Sequence, residues 1–397
     1  MSEQGSRIPG FYRLTVEARR RELSERAELS IDDLHTLEHG GLDTRTADQV
    51  VENVVGVYTL PLGVGLNFRV NGRDYLVPMA VEEPSVIAAA SNAARMVREG
   101  GGFQAEADDP IMTAQVEIVG ISDPEAAKAR IEREVPALLR HAHAALPWLA
   151  ERGGGPRELE VRTGIDPGRV IVHVHIDCRN AMGANMVNTV AESLADRLAS
   201  LAGGRWGLRI LTNLADRRCV RVTARVPARA LATQELAGTA VRDGIVAASR
   251  FAEDDSYRAA THNKGIMNGV DAVVIATGND WRGVEAGAHA FAAQSGRYRP
   301  LATWRAEEGD LVGSLEMPMA LGTVGGTLQA HAGARLAQKL IGAADASTLG
   351  MIVASAGLAS NLAALRALAS EGIQRGHMAL HRRATSPAGH PVVGDRS

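Results

Sequence analysis

The sequence predicts an α+β fold in which a large domain of helices and mixed strands carries an inserted, ferredoxin-like βαββαβ domain. Three observations lead there. Long alanine- and leucine-rich stretches with apolar residues at helical spacing occupy both halves of the chain. Between residues 110 and 216 the pattern runs strand, helix, strand, strand, helix, strand, which is the split βαβ order. Gly100-Gly101-Gly102 and Asp216-Arg217-Arg218 flank that unit with turn-forming and polar residues.

In chain order, Thr15 to Glu28 reads as a charged helix, and Ser30 ahead of Asp32 and Asp33 as the start of a second. A third begins near Thr44 and runs into Glu52. The glycine-punctuated segment from Val57 to Gly65 enters a hairpin whose turn is Asn71-Gly72, the type I′ dipeptide. Pro84 fits the first position of the alanine-rich helix that follows, which places Glu83 at a loop-to-helix junction. Inside the insert, Met112 to Val119 alternates as a strand and Asp123 to Ala145 reads as one long helix. Glu158 to Arg162, Val170 to Asp177 and Leu208 to Leu211 are strands, with a helix from Asn185 to Ala202. Val220 to Val226 returns as a strand, and Pro227 to Phe251 is largely helical. Thr261 to Gly269 is a polar, glycine-bracketed segment feeding the apolar run Val270 to Thr277. Gly278-Asn279-Asp280 opens a further helix, a hairpin spans Leu301 to Met317, and more helices run on to Glu371. The expected domains are 1–109 and 217–376 for the large domain, 110–216 for the insert, and 377–397 for a short C-terminal remnant.

Composition narrows the function. The 397 residues are 45% hydrophobic and 22% charged, an ordinary globular balance. A net charge of −3 and 4% aromatics argue against nucleic-acid binding. The sequence shows neither a signal peptide nor an uninterrupted apolar run of about 18 residues, so a cytoplasmic location is expected. Cys178 and Cys219 are too few and too far apart for a disulfide framework. His173 and His175 share one face of a strand with no acidic or thiol partner near them in sequence, so no metal is expected.

Of 43 basic residues only Lys128, Lys264 and Lys339 are lysines. Lysine in place of arginine inside a polar segment suggests an amine whose charge is meant to be tuned. Glu83, Asp280 and His377 complete a set of two acids, an amine and an imidazole, a combination suited to moving protons. No Gly-x-Gly-x-x-Gly or Walker loop is present, so a dinucleotide would be held by something other than a Rossmann turn.

Glu52-Asn-Val-Val-Gly56, Glu83-Pro-Ser-Val86, Asn180-Ala-Met-Gly-Ala-Asn185, Thr261-His-Asn-Lys-Gly265, Gly278-Asn-Asp280, Gly322-Thr-Val-Gly-Gly326 and Gly376-His-Met378 follow one another in this order. In these motifs the chain resembles the 3-hydroxy-3-methylglutaryl-coenzyme A reductases, class II, nearly to His381. The resemblance implies reduction of 3-hydroxy-3-methylglutaryl-CoA to mevalonate and CoA with two NAD(P)H, through mevaldyl-CoA and mevaldehyde, or the reverse oxidation. It implies that Lys264 stabilises the substrate oxygen as an alkoxide, that Asp280 holds that ammonium, that Glu83 exchanges a proton with the carbonyl, and that His377 protonates the CoA thiolate. Ser85, Arg258 and Asn268 would contact the hydroxymethylglutaryl group, and Met182, Gly183, Asn185 and Asn213 the dinucleotide. A homodimer with sites at the interface is implied, further assembled into a hexamer in many relatives.

The chain departs from the family pattern at Asn180, where an acid is usual, at Ser360, where glutamine is usual, and in having a short segment after His377. These departures open an alternative, an impaired paralogue that binds CoA or dinucleotide without turnover. Leu146-Pro147-Trp148 lacks the acid of NAD-preferring members and has Arg152 close by, which leans towards NADPH over NADH.

Overall fold

The structure, a computed structural model, describes residues 5–164 and 166–370. Three short helices lead: α1 (Val16–Ala27), α2 (Ile31–His39) and α3 (Thr44–Val50). Thr15, Ser30 and Asp43 cap them, and Ser30 and Asp33 complete a reciprocal capping box. Strands β1 (Leu62–Val70) and β2 (Arg73–Ala80) form the hairpin, with Asn71 and Gly72 both at positive φ as a type I′ turn requires. After α4 (Val86–Glu99) and β3 (Phe103–Ala107), the chain enters a second sheet.

That second unit comprises β4 (Ile111–Val119), α5 (Pro124–Arg133), α6 (Val135–Ala145), α7 (Pro147–Glu151), β5 (Gly155–Arg162), β6 (Arg169–Asp177), α8 (Ala184–Ala202) and β7 (Arg205–Leu211). Its strand order β5-β6-β4-β7, antiparallel throughout, is that of the ferredoxin-like fold. The single helix expected from Asp123 to Ala145 is two helices. Pro136, which has no N–H to donate back into the first helix, sits at the start of α6, and the break falls at Glu134.

The chain then rejoins the first sheet through β8 (Cys219–Val226), followed by α9 (Ala228–Leu231), α10 (Gly238–Asp254), α11 (Ser256–Ala276) and α12 (Trp281–Ala293). The hairpin β9 (Ala302–Glu307) and β10 (Asp310–Pro318) precedes α13 (Gly326–Ala330), α14 (Ala332–Ile341) and α15 (Ala346–Ala369). The large sheet runs β2-β1-β3-β8-β10-β9. Its neighbours β3 and β8 pair Phe103 with Ala224, so the small sheet hangs between two adjacent strands of the large one. Asp108 closes that junction, accepting from Arg221 Nη1 at 2.8 Å and from the Cys219 N–H at 3.1 Å.

Each sheet has its own apolar core, one against α4, α10, α11 and α15, the other against α5, α6 and α8. α15 is the only helix among the described residues long and apolar enough to cross a membrane, and 78% of its most apolar stretch is buried inside the protein. It crosses α11 closely because Gly269 has no side chain: a Cβ there would stand 2.3 Å from the Ala356 carbonyl and 2.5 Å from Ser360 Oγ. Cys178 and Cys219 are free and buried, and burial pushes both thiols up to about 12, so neither is an activated nucleophile.

Candidate active site

Lys264 lies within α11, not in a loop. Its glycine neighbours serve a helix that must pass close to α15, and the polar residues from Thr261 to Asn268 form helical turns with it. Its Nζ donates to Glu83 Oε2 at 2.8 Å, across 181 residues of sequence. The two side chains are 61% and 35% exposed, so in the single chain the pair faces solvent, and water screens it. Asn268, one helical turn further along, is half-buried on the same face. Arg258 stands in the first turn of α11, half-buried and with its guanidinium in no ion pair among the described residues. Burial lowers its pKa.

Pro84 does not open α4; the helix begins at Val86, with Ser85 at the cap in a left-handed conformation, φ 80°. The Ser85 Oγ is buried without a hydrogen-bond partner. A left-handed non-glycine residue costs about 1–2 kcal/mol, and an orphaned buried polar group about 1–3 kcal/mol. Two local costs thus fall on one residue, two positions from Glu83.

A second group of candidates gathers where the two sheets meet. Gly183 (φ 103°) caps α8, and a Cβ there would stand 2.4 Å from Cys178 Sγ, so only glycine fits. No side chain caps this helix, which leaves the first-turn N–H groups beside Asn185 without a side-chain partner. The Asn180 carbonyl accepts from the Thr323 and Val324 N–H groups, and its Oδ1 from Ala346 N–H at 3.2 Å. Asn279 Oδ1 accepts from Gly322 N–H at 2.7 Å. The Gly322–Gly326 turn is thereby stapled between both motifs. Asp280 caps α12 through Gly283 N–H at 3.1 Å. A Cβ on Gly283 would stand 2.9 Å from Asp280 Oδ2 and 3.3 Å from Asn213 Oδ1, so these two side chains flank the same glycine.

The structure revises three further expectations. Lys264 makes no ion pair with Asp280 among the described residues; its partner is Glu83. Ser360 lines no open cleft; it is buried where α15 meets Gly269, and its neighbour Asn361 accepts from Trp304 Nε1 at 2.7 Å. His173 and His175 do have an acid beside them, Glu160. His377 lies outside the described residues. Arg152 donates to the Trp148 carbonyl and its guanidinium lies over the Trp148 ring.

Two ionisable groups escaped sequence reasoning. Arg218, set in a polar linker, is only 4% exposed and donates to the carbonyls of Ala181, Met182 and Leu321. Its neighbours Arg217 and Asp216 gave no sign of this, since a basic linker ordinarily faces water. Asp271, two turns beyond Lys264, packs against Glu285, and burial first, then that second carboxyl, pushes its pKa up to about 8. The folded chain therefore keeps a proton that the unfolded chain releases near 3.8. Stability attributable to Asp271 falls as pH rises from about 4 to about 8. Asp271→Asn is expected to flatten that fall and to be relatively more stable near pH 8, read as urea midpoints across the range; an unchanged pH profile would refute the assignment.

Comparison with known proteins identifies the family. A family model described as hydroxymethylglutaryl-coenzyme A reductase matches residues 15–382. The 3-hydroxy-3-methylglutaryl-coenzyme A reductase of Archaeoglobus fulgidus is 46% identical, over 95% of this chain and 86% of that protein. A probable reductase of the same name from Borreliella burgdorferi is 31% identical, over 94% and 84%. The structure of the class II 3-hydroxy-3-methylglutaryl-CoA reductase from Streptococcus pneumoniae bound to NADPH in open conformations superposes with a TM-score of 0.88 at 41% identity, over 91% of this chain and 99% of that one.

Proposed function

The chain belongs to the hydroxymethylglutaryl-coenzyme A reductase family, and from that premise we propose which of its residues carry the reaction. The reaction is the reduction of 3-hydroxy-3-methylglutaryl-CoA to mevalonate and CoA. NAD(P)H supplies two hydrides in succession. The observation that carries the assignment is the Glu83–Lys264 pair, 2.8 Å apart, with the unpartnered Ser85 hydroxyl two residues along the chain from Glu83. An ammonium held at that position stabilises negative charge as it develops on the substrate oxygen, and the adjacent carboxyl exchanges a proton with that oxygen. Arg258, with no ion pair of its own among the described residues, suits the free carboxylate of the hydroxymethylglutaryl group, to which Ser85 and Asn268 would add hydrogen bonds. His377 would protonate the departing thiolate.

The α8 N-terminus fits a dinucleotide diphosphate: its N–H groups have no side-chain cap, and Gly183 leaves the backbone accessible. Met182, Gly183, Asn185 and Asn213 would hold NADPH or NADH there, so that residues 110–216 act as the cofactor-binding domain. Asn180 carries no charge, yet its carbonyl staples the Gly322 turn and its amide oxygen accepts from Ala346 N–H at the start of α15. This supports an active enzyme over the impaired paralogue.

The protein is proposed to work in the cytoplasm as a homodimer. Val51, Val55 and Tyr58 are exposed around the Glu52–Gly56 motif, and Lys264 is solvent-facing in the single chain. A partner copy would cover the first and exclude water from the second.

The test is to follow reduced nicotinamide absorbance with 3-hydroxy-3-methylglutaryl-CoA, then nicotinamide reduction with mevalonate and CoA. Binding without turnover in either direction would sink the enzyme reading. In the same assay Ser85→Ala is expected to raise KM for the CoA substrate about tenfold. It should leave the melting temperature of the free protein unchanged or slightly higher, because the hydroxyl has no partner to lose. A clear fall in melting temperature would show that the hydroxyl serves the fold instead.

A further inference from the structure

We propose that Glu160, His173 and His175 form a binding site for a divalent transition metal, of the kind zinc occupies, on the face of the four-stranded sheet opposite its helices. Strand register assembles it. Glu160 stands opposite His173 and Glu158 opposite His175 across β5 and β6, while Gln115 and Thr113 face the same two histidines from β4. The alternate residues Val172, Val174 and Ile176 enter the core against α5, α6 and α8, so this polar row belongs to the other face. One ring nitrogen of each histidine and a carboxylate oxygen of Glu160 lie within 4.8 Å of one another. Ligand atoms around one tetrahedral zinc stand about 3.3 Å apart, given zinc–nitrogen bonds of about 2.0 Å, and side-chain rotation closes that gap.

His175 separates a ligand from an ordinary core histidine. It is 4% exposed. Its Nδ1 lies 2.8 Å from Thr113 Oγ1, while its Nε2 is buried with no hydrogen-bond partner, and Glu160 Oε2 at 3.6 Å is too far to be one. In the tautomer whose Nδ1–H donates to the Thr113 hydroxyl, the Nε2 lone pair points at the acid, which is the outer-shell arrangement of metal-ligating histidines. Gln115 Nε2 donates to His173 Nε2 at 2.9 Å, so this ring ligates through Nδ1 once the Gln115 amide turns its oxygen towards Nε2–H. Burial foremost, with nearby arginines, lowers both imidazole pKa values, which keeps the rings in the neutral form that ligates. None of these residues belongs to the site around Lys264. Arg217 is the competitor, pairing with Glu158 at 3.5 Å and with Glu160 at 3.7 Å; an ion must displace it.

Titrating the metal-free full chain with zinc chloride by calorimetry, and with cobalt(II) chloride by visible absorption, tests this. The expected result is one saturable equivalent per chain and the strong visible bands of low-coordinate cobalt. His175→Ala and Glu160→Gln should each weaken binding at least about tenfold, and Arg217→Ala should tighten it several-fold. Absence of saturable binding would overturn the proposal. So would equal affinity in wild type, His175→Ala and Glu160→Gln, which would place the ion on others of the 12 histidines. Melting of each metal-free variant reports its folding; Glu160 is 44% exposed, so Glu160→Gln alone decides if His175→Ala does not fold.

Discussion

Lys264→Ala is expected to lower kcat for 3-hydroxy-3-methylglutaryl-CoA reduction by about 10²–10³-fold, with a much smaller change in KM, because the ammonium acts on charge that appears only as the carbonyl is reduced. The side chain is exposed and its ion-pair partner among the described residues is Glu83, so the substitution should leave the free energy of urea unfolding within about 0.5 kcal/mol of wild type. Lys264→Arg keeps the charge but replaces a compact ammonium by a planar fork, and it should recover only a small part of the rate. Steady-state kinetics beside denaturant unfolding would decide the matter. A loss of rate matched by a comparable loss of stability would assign Lys264 to the fold, and a near-normal kcat would remove it from the chemistry.

Arg218→Met should be the most destabilising of the substitutions considered, by about 3–5 kcal/mol. Burial draws the guanidinium pKa down only to about 10, so it stays charged at neutral pH. Its hydrogen bonds go to three backbone carbonyls, those of Ala181, Met182 and Leu321, which the substitution would leave buried without a donor. Those carbonyls belong to the Asn180–Asn185 segment and to the start of the Gly322 turn, the two loops that frame the proposed dinucleotide site. Urea unfolding should therefore show the stability loss, and at temperatures where the variant remains folded KM for NADPH should rise more than KM for the CoA substrate. A variant as stable as wild type, with unaltered NADPH kinetics, would show that neither loop depends on Arg218.

How far the sequence could be read depended on the range of the interaction. Caps at Thr15, Ser30 and Asp43, the Asn71-Gly72 turn and the alternating strands of the insert are set by residues within a few positions of one another. They were legible. The stretch around Lys264 reads in sequence only as a polar, glycine-bracketed segment because Gly265 and Gly269 look like helix breakers, whereas Gly269 permits the close crossing of α11 with α15. The helix from Asp123 was read through Pro136 because its apolar spacing continues on the far side.

By itself the sequence determined the ordered motifs, the ferredoxin-like insert, and a set of proton-handling residues that includes one of only three lysines. Those are properties of local pattern and residue chemistry. Only the tertiary structure decided which of these residues meet. It joined Lys264 to Glu83 instead of Asp280, buried Arg218 beneath two loops, left Ser85 without a partner, and brought Glu160 beside His173 and His175. The physical reason is common to all four. Strand register and helix crossing bring together side chains far apart in sequence, and burial and hydrogen bonding, which set the state of a charged or polar group, depend on that company.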